Sequence, residues 1–476
     1  MSGQNVLILM SDEHMRDASG CYGHPVVKTP NLDKLAARGT RFDNAYTPAP
    51  ICVPARASIA TRRYVHQNRF WSNAQPYDGS QPGWGHKLIE AGHHVASVGK
   101  LHYRSTDDDN GFLSEAHSLH VRNGIGWVRG LIRKDAPVWG VTEEFSHNIG
   151  AGECDYTVMD RDITRDACHW LRYEAGEHTD KPWVLFTSYI TPHYPLVVPQ
   201  EFYDLYPAHE MELPRAVVAG DGTDNPVVQG IRRLYNYDDH FDDERRRIAV
   251  ASYYGMCSYL DHNIGQVLRA LEDSGQADNT LVIYVSDHGE MLGTKGMWTK
   301  GNMYEESVAI PMIMAGASIP KGKAVTTPTS LIDLHPTILE ATGLGAGKDI
   351  DRPGENLIQI ANSDARDRAI LSEYHDGGSI TGMFMVRVGR WKYCYYPGYD
   401  PQLFDMEDDR LETRDLGTDL AYAETRAQCH AALFQIVDAD AANDQAFADQ
   451  AMRIEELGGM DAIIAMDDYD FTPVEK

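Results

Sequence analysis

A surplus of positive charge is the first thing this chain lacks. Its 43 Lys and Arg stand against 70 Asp and Glu, a formal charge of −27 at pH 7. A field of that sign repels phosphate backbones and anionic lipid surfaces, which excludes nucleic acid and membrane as expected partners. It repels an anionic substrate as well, unless cations or a metal gathered in one place override it at short range. Clustered cysteine is missing too. The seven present, Cys21, Cys52, Cys154, Cys168, Cys257, Cys394 and Cys429, are odd in number and form no C-x-x-C pair. Neither a structural zinc site nor a dense disulfide framework is indicated, and most of them read as small buried hydrophobes in a reducing compartment. No stretch approaches the ~20 apolar residues of a membrane span. The apolar run from Asn5 to Met10 is too short, and its flank too poor in Lys and Arg, for a secretory signal. The expectation is a cytoplasmic protein without internal repeats or low-complexity tracts.

What is present fits a globular chain. Its 476 residues, 42% hydrophobic and 24% charged, suffice for one large domain with an appendage or for two domains. Short apolar runs at Val6–Met10, His94–Val98, Trp183–Ile190, Leu281–Val285 and Pro311–Ala315 read as buried strands. The segment Arg245 to Glu272 carries Val250, Tyr253, Cys257, Leu260, Ile264, Val267 and Leu271 at helical spacing, one apolar face of a helix. Helices alternating with buried strands predict an α/β fold, a mainly parallel sheet sandwiched by helices. After about residue 365 the pattern changes to short strands at Ala369–Tyr374, Phe384–Val388, Trp391–Tyr396 and Leu403–Met406, an antiparallel meander with a helix over Leu420–Val437. The expected division is an α/β catalytic domain, 1–364, and a C-terminal α+β subdomain with a tail, 365–476.

Two segments have less pattern. Gly220–Asp243, rich in Gly, Asp and Asn, reads as a long surface excursion. Beyond about residue 440 clear periodicity is lost, yet Met452, Ile454, Leu457, Met460, Ile463, Ile464, Tyr469 and Phe471 remain. Large apolar groups prefer burial at ~25 cal/mol per Å². The tail is therefore expected to complete a pocket and to help form a homo-oligomer, a dimer or tetramer.

The chemistry-bearing residues come in a repeated grammar. Val6-Leu7-Ile8-Leu9-Met10-Ser11-Asp12-Glu13 and Leu281-Val282-Ile283-Tyr284-Val285-Ser286-Asp287-His288 each end an apolar strand on Ser-Asp. Ligands of open parallel sheets gather at the carboxyl ends of strands. Two carboxylates delivered there beside an imidazole make a hard-metal site, whereas one Asp alone would more often cap a helix. The most specific element is Cys52-Val53-Pro54-Ala55-Arg56, followed by Ala57-Ser58-Ile59-Ala60-Thr61. Pro54 suits a first helical turn, so residue 52 falls at a helix N-terminus, where amides and dipole favour an anion. Arg56, a turn along, can set its guanidinium against a developing oxyanion.

This element resembles the C-x-P-x-R signature of type I sulfatases, whose cysteine a maturation enzyme oxidises to formylglycine, on the alkaline phosphatase superfamily fold. The resemblance extends along most of the chain. Thr29-Pro30-Asn31-Leu32-Asp33-Lys34-Leu35 is similar to the family's T-P-N-L-D-x-L, Gly99-Lys100-Leu101-His102 to its G-K-x-H, and Ser286-Asp287-His288-Gly289 to its S-D-H-G. His193 after Thr191-Pro192 looks like the family's lone histidine, Lys300 before Tyr304-Glu305 its distal lysine, and Asn73 its substrate-contacting asparagine. Motif order looks closest to choline sulfatases and phosphonate monoester hydrolases. The latter lack the lysine and histidine of G-K-x-H, so Lys100 and His102 favour sulfate monoesters. Three positions depart from the pattern: Glu13, where relatives have Asp or Gln; Arg62, where a Gly is usual; and Ala309, where an Arg is common.

The resemblance implies hydrolysis of the sulfate monoester of a small organic alcohol, choline-like or aryl, with phosphonate monoester or phosphodiester hydrolysis as the alternative. The implied cofactors are a formylglycine (3-oxoalanine) from Cys52 and a divalent metal, calcium first and manganese second, held by Asp12, Glu13, Cys52, Asp287 and His288. Lys100, His193, Lys300 and Asn73 would bind the sulfate oxygens, His193 or Lys300 would protonate the leaving alcohol, and His102 would be the base that lets sulfate depart. Implied partners are the small sulfate ester and the maturation enzyme. A choline-like alcohol would need aromatic walls and a carboxylate, for which Trp71, Trp127, Trp139, Tyr374 and Asp376 are candidates.

Overall fold

Eight strands form one large sheet in the computed structural model of this chain, which describes residues 3–345, 352–466, 469 and 471–474. In chain order they are β1 (Asn5–Asp12), β2 (Thr40–Phe42), β3 (Val95–Gly99), β4 (Ser114–Ala116), β5 (Val184–Pro192), β6 (Thr280–Ser286), β7 (Met312–Ala315) and β8 (Lys323–Val325). Their order across the sheet is β8-β2-β7-β6-β1-β5-β3-β4, and β7 alone runs against its neighbours. β1 lies at the centre, with Val6, Leu7, Ile8, Leu9 and Met10 all fully buried. Val6, Ile8 and Met10 enter one apolar core while Leu7 and Leu9 enter the other. The unbroken apolar run is thus the mark of a strand covered on both faces, each side chain contributing roughly 1.5–3 kcal/mol of burial.

Four helices bear on the site: α1 (Cys52–Thr61), α2 (Asp155–His169), α3 (Pro226–Tyr235) and α4 (Asp243–Asp273). α4 is capped by Asp242, whose side chain accepts from the backbone N–H of Arg245, and its face from Val250 to Leu271 is buried as its periodicity predicts, Leu260 to Leu271 in the core that holds Leu7 and Leu9 of the sheet and Val250, Tyr253 and Cys257 in a neighbouring aromatic-rich core. A second sheet follows, an antiparallel meander of β9 (Ile370–Tyr374), β10 (Met383–Val388), β11 (Trp391–Tyr395) and β12 (Gln402–Asp405). The helix α5 (Ala423–Ile436) packs Cys429 and Leu433 on it, against Phe384, Val386 and Tyr393. The two sheets are joined by buried charge. Lys392 of β11 reaches Glu305 at 3.2 Å and Glu412 at 2.6 Å, and Glu305 also meets Arg16 at 3.1 Å. Among the described residues no helix is long and apolar enough to cross a membrane.

One expectation is corrected. The segment 220–243 is no surface excursion. It contains α3, started by Asn225, which caps the N–H of Val227, and it buries Val227, Val228, Ile231, Leu234 and Tyr235. The helix is short and is flanked by Gly-, Asp- and Asn-rich chain, which hides its period in the sequence. Beyond residue 440, where clear periodicity is lost in the sequence, the described residues include α6 (Ala439–Glu456) and α7 (Met460–Ala465). α6 buries Ala439, Ala442, Asn443, Ala446, Asp449 and Gln450, a face of small and polar groups that hydrophobic periodicity does not detect. It docks by hydrogen bonds: Asp449 accepts from Arg69 Nε and Trp71 Nε1, both at 2.7 Å, and Gln450 donates to the carbonyl of His375 at 2.6 Å. Several of its large apolar groups stay outside, Met452 being 57% exposed, while Ile463 is fully buried.

Candidate active site

Strand register builds the centre of the site. β1 pairs with β6 through Ser11 opposite Ser286, so Asp12 and Asp287 leave the sheet side by side. On the other flank β1 pairs with β5 across an irregularity that sets Asp12 opposite Pro192, which brings up His193. Asp287 Oδ1 accepts from the backbone N–H groups of Glu13 (3.2 Å) and His288 (2.9 Å), tying the two strand ends together. α1 starts at Cys52, whose Sγ lies 3.1 Å from His288 Nε2 and 3.6 Å from Asp12 Oδ1. Ligand atoms of Asp12, Cys52, Asp287 and His288 all lie within 4.8 Å of one another, as do those of a second group, Asp12, Glu13 and His193. The ring of His288 donates from Nδ1 to the carbonyl of Gly289 at 3.0 Å. Held this way, the ring presents Nε2 toward Asp12 and Cys52, the nitrogen a metal-ligating imidazole would use.

Three cations balance the three carboxylates. Arg56 donates from Nε to Asp287 at 2.8 Å, from Nη2 to Asp12 at 3.0 Å, and from Nη1 to the Lys100 carbonyl and Ser188. Its guanidinium therefore grips the strand ends and does not line the cavity above them, where an oxyanion would develop. Lys100 Nζ sits 2.8 Å from Asp12 Oδ2. Lys300 Nζ donates to Glu13 Oε2 and to His193 Nε2, each at 2.7 Å. Burial works to raise the Asp12 pKa, but Lys100, His193 and Arg56 outweigh it and hold the carboxyl well below its ordinary value. Burial raises Glu13 well above the ordinary range, with Lys300 opposing and like-charged Glu290 adding, and its Oε1 is buried without a hydrogen bond. Cys52 is pushed up by burial and by Asp12, so the thiol is protonated.

The two histidines are neutral. Burial, with Lys300 adding, lowers His193 well below its usual value. Its Nδ1 donates to the Tyr194 carbonyl at 2.6 Å, leaving Nε2 to accept from Lys300. Burial and Lys100 lower His102 likewise. Asn73 caps α1 from outside the helix, its Oδ1 accepting from the Val53 N–H at 3.1 Å, while its own N–H donates to Asp376 at 2.7 Å.

Above this floor opens a cavity. Cys52, Asn73, His102, His193 and Lys300 face it, and Trp127, Trp139, Tyr194, Tyr235 and Tyr374 form its walls. Two of the residues proposed for an alcohol pocket lie elsewhere: Trp71 is buried on Asp449, and Asp376 stands behind Asn73, with no carboxylate among the described lining residues. Tyr194, Tyr235 and Thr472 line the cavity without a motif to announce them, though Tyr235 ends the helical run missed in 220–243, and Tyr469 and Phe471 of the tail, expected to complete a pocket, line it too. Glu290, next to the S-D-H-G element, was also unforeseen. Its Oε1 accepts from Leu292 and Thr299 N–H groups at 2.6 and 2.7 Å, fixing the loop that carries Lys300. Arg62 adopts φ 55°, ψ 45° as the cap of α1, the left-handed conformation for which a Gly is favoured there.

A family model described as Sulfatase matches residues 4–344, and one described as N-sulphoglucosamine sulphohydrolase, C-terminal, matches residues 293–439. The chain is 32% identical over 427 residues to the choline-sulfatase of Rhizobium meliloti (strain 1021), covering 87% of this chain and 82% of that protein. It is 27% identical over 443 residues to arylsulfatase K of Danio rerio, covering 87% and 80%. Among solved structures, the phosphonate monoester hydrolase of Agrobacterium radiobacter has the same fold, with a TM-score of 0.74 at 22% identity over 91% of this chain and 95% of that one.

Proposed function

Because this chain belongs to the sulfatase family and is a sulfuric ester hydrolase, we propose that it hydrolyses the sulfate monoester of a small organic alcohol, using a formylglycine made from Cys52 beside a divalent metal. The observation that carries this reading is the place of Cys52, at a helix start, against Asp12 and His288, and at the floor of an aromatic-walled cavity. As a thiol it is a poor nucleophile there, since burial keeps it protonated. Chemistry at this position calls for the aldehyde, and hence for a formylglycine-generating maturation enzyme as partner.

The donor set fits a divalent ion. Asp12, Asp287, His288 and residue 52 would hold it, with Glu13 adjacent and one of its buried oxygens unpaired. Oxygen donors with one imidazole suit calcium, then manganese. When bound, the ion and the hydrated aldehyde supply Lewis acidity and two geminal hydroxyls, one to attack sulfur in line and one to expel sulfate. The protein's own groups do the rest. Arg56 keeps Asp12 and Asp287 oriented. Lys300, facing the cavity, binds a sulfate oxygen and is the proton donor to the leaving alcohol, because it is charged while His193 is neutral and accepts from it. Asn73 adds an amide donor, and neutral His102 is the base for sulfate release.

Seven aromatic rings and, among the described residues, no lining carboxylate suit a flat aryl group, or a methylated ammonium held by ring faces at roughly 0.5–2 kcal/mol per contact. The test is a screen of metal-loaded enzyme against choline sulfate, aryl sulfates, phosphodiesters and phosphonate monoesters. Sulfate monoesters should give the highest kcat/KM. Cys52→Ala should fold and bind metal but lose turnover, and mass spectrometry of the peptide holding residue 52 should show aldehyde in place of thiol. Wild-type turnover by Cys52→Ala would end the proposal.

A further inference from the structure

We propose that Thr472, far along the chain from every motif of the site, is a positioning residue for sulfate release: its hydroxyl holds the ring of His102 and selects the tautomer in which Nδ1 is the base. This rests on the assignment of His102 as that base. Thr472 Oγ1 lies 3.0 Å from His102 Nε2, and both residues line the catalytic cavity. The contact is anchored on both sides. The Thr472 carbonyl accepts from Tyr156 OH at 2.7 Å, and the neighbouring Phe471 ring packs edge-on against Tyr156, 5.1 Å between centroids. On the other side the His102 backbone N–H donates to the Leu119 carbonyl at 2.7 Å, with His102 at φ 57°.

The ring nitrogens of His102 divide the work. Nε2 is committed to Thr472, while Nδ1 is buried and forms no hydrogen bond. A neutral imidazole has one N–H and one lone pair. If Thr472 donated to Nε2, Nδ1 would carry the proton and would have no lone pair to offer a hydroxyl of residue 52. If Nε2–H donates to Thr472 Oγ1, Nδ1 keeps the lone pair. Only this second arrangement leaves a base. In the release step the second hydroxyl on residue 52 gives its proton to Nδ1, and the O–H electron pair becomes the new C=O bond. The C–O bond to the sulfuryl group breaks, and its electron pair leaves with sulfate. No other reactant is needed.

Thr472→Val removes the hydroxyl at nearly constant shape, and Thr472→Ser keeps it. With an aryl sulfate, Thr472→Val should lower kcat about ten- to hundredfold, as loss of an outer hydrogen-bond partner does, and KM should not rise. Alcohol should appear in a burst equal to the enzyme, followed by a slow steady phase, because only the second step is slowed. Thr472→Ser should restore wild-type kinetics. Independently of turnover, ¹⁵N-histidine NMR should place the His102 proton on Nε2 in wild type and Thr472→Ser, and on both nitrogens in Thr472→Val. Wild-type kcat without a burst in Thr472→Val, while His102→Ala is impaired, would overturn the role of Thr472 and leave the base assignment standing. A higher KM with unchanged kcat, or failure of Ser to rescue, would reduce Thr472 to packing and overturn it too. Unimpaired His102→Ala would remove the base assignment itself.

Discussion

Lys300→Met separates two things that this ammonium does at once. In the folded protein it neutralises Glu13 at 2.7 Å and donates to His193 Nε2 at 2.7 Å. Two unit charges at that distance attract by about 6 kcal/mol at an effective dielectric of ~20. The net loss on deleting one partner of a buried pair is smaller, about 3–5 kcal/mol, and reflects the carboxylate left behind. Burial already raises the Glu13 pKa and Lys300 opposes it, so in Lys300→Met the carboxyl can take up a proton and the deficit should grow with pH. Denaturant unfolding of metal-free protein should show this deficit, and the double variant Glu13→Gln/Lys300→Met should recover most of it. Activity gives the second readout. A general acid is worth about 10²–10⁴-fold, but only where the leaving group needs a proton. Lys300→Met should therefore lose that factor on an alkyl sulfate and far less on 4-nitrophenyl sulfate, whose phenolate leaves unaided. The double variant should regain stability without regaining alkyl sulfate turnover. Equal losses in kcat/KM on the two substrates would refute proton donation by Lys300 and leave it a sulfate-binding charge alone.

Three further outcomes are expected. Exhaustive chelation should abolish turnover and lower the thermal midpoint, and Asp287→Asn should weaken divalent-ion binding measured by calorimetry, since Asp287 also anchors Arg56 and the Glu13 and His288 amides. Asp376→Asn should raise KM about tenfold with the metal site intact, because the amide can accept from only one of the N–H groups of Asn73 and Gly377 that the carboxylate now serves; an unchanged KM would show that Asn73 needs no support. Asp160, buried and accepting from Ile190 and Thr191, has its pKa raised to about 7 by burial, so its contribution to stability is full below ~4 and is lost as pH rises through 7, by up to about 1.4 kcal/mol per pH unit. Asp160→Asn should flatten that part of the stability–pH curve, and a curve parallel to wild type would contradict the burial argument.

Much of this molecule was legible in its sequence. Unbroken apolar runs placed the central strands to within two residues, since a strand covered on both faces has no polar positions to interrupt it. The Ser-Asp endings located both metal-ligand candidates because the chain leaves a parallel sheet where ligands bind. The C-x-P-x-R element marked the start of α1, because proline and alanine there have local conformational preferences that need no tertiary partner. Tertiary structure decided what those residues do. Only the β1–β6 register puts Asp12 against Asp287, and only their adjacency turns Arg56 toward the carboxylates and away from the cavity. α6 escaped detection because its buried face is Ala, Asn, Asp and Gln, held by hydrogen bonds to distant partners. Asp376 behind Asn73, Tyr235 in the wall and Thr472 on His102 were equally hidden. Local pattern reports which face of an element is buried; it carries no record of which far-off side chain closes against it, and that is fixed by register, helix docking and loop closure in the folded chain.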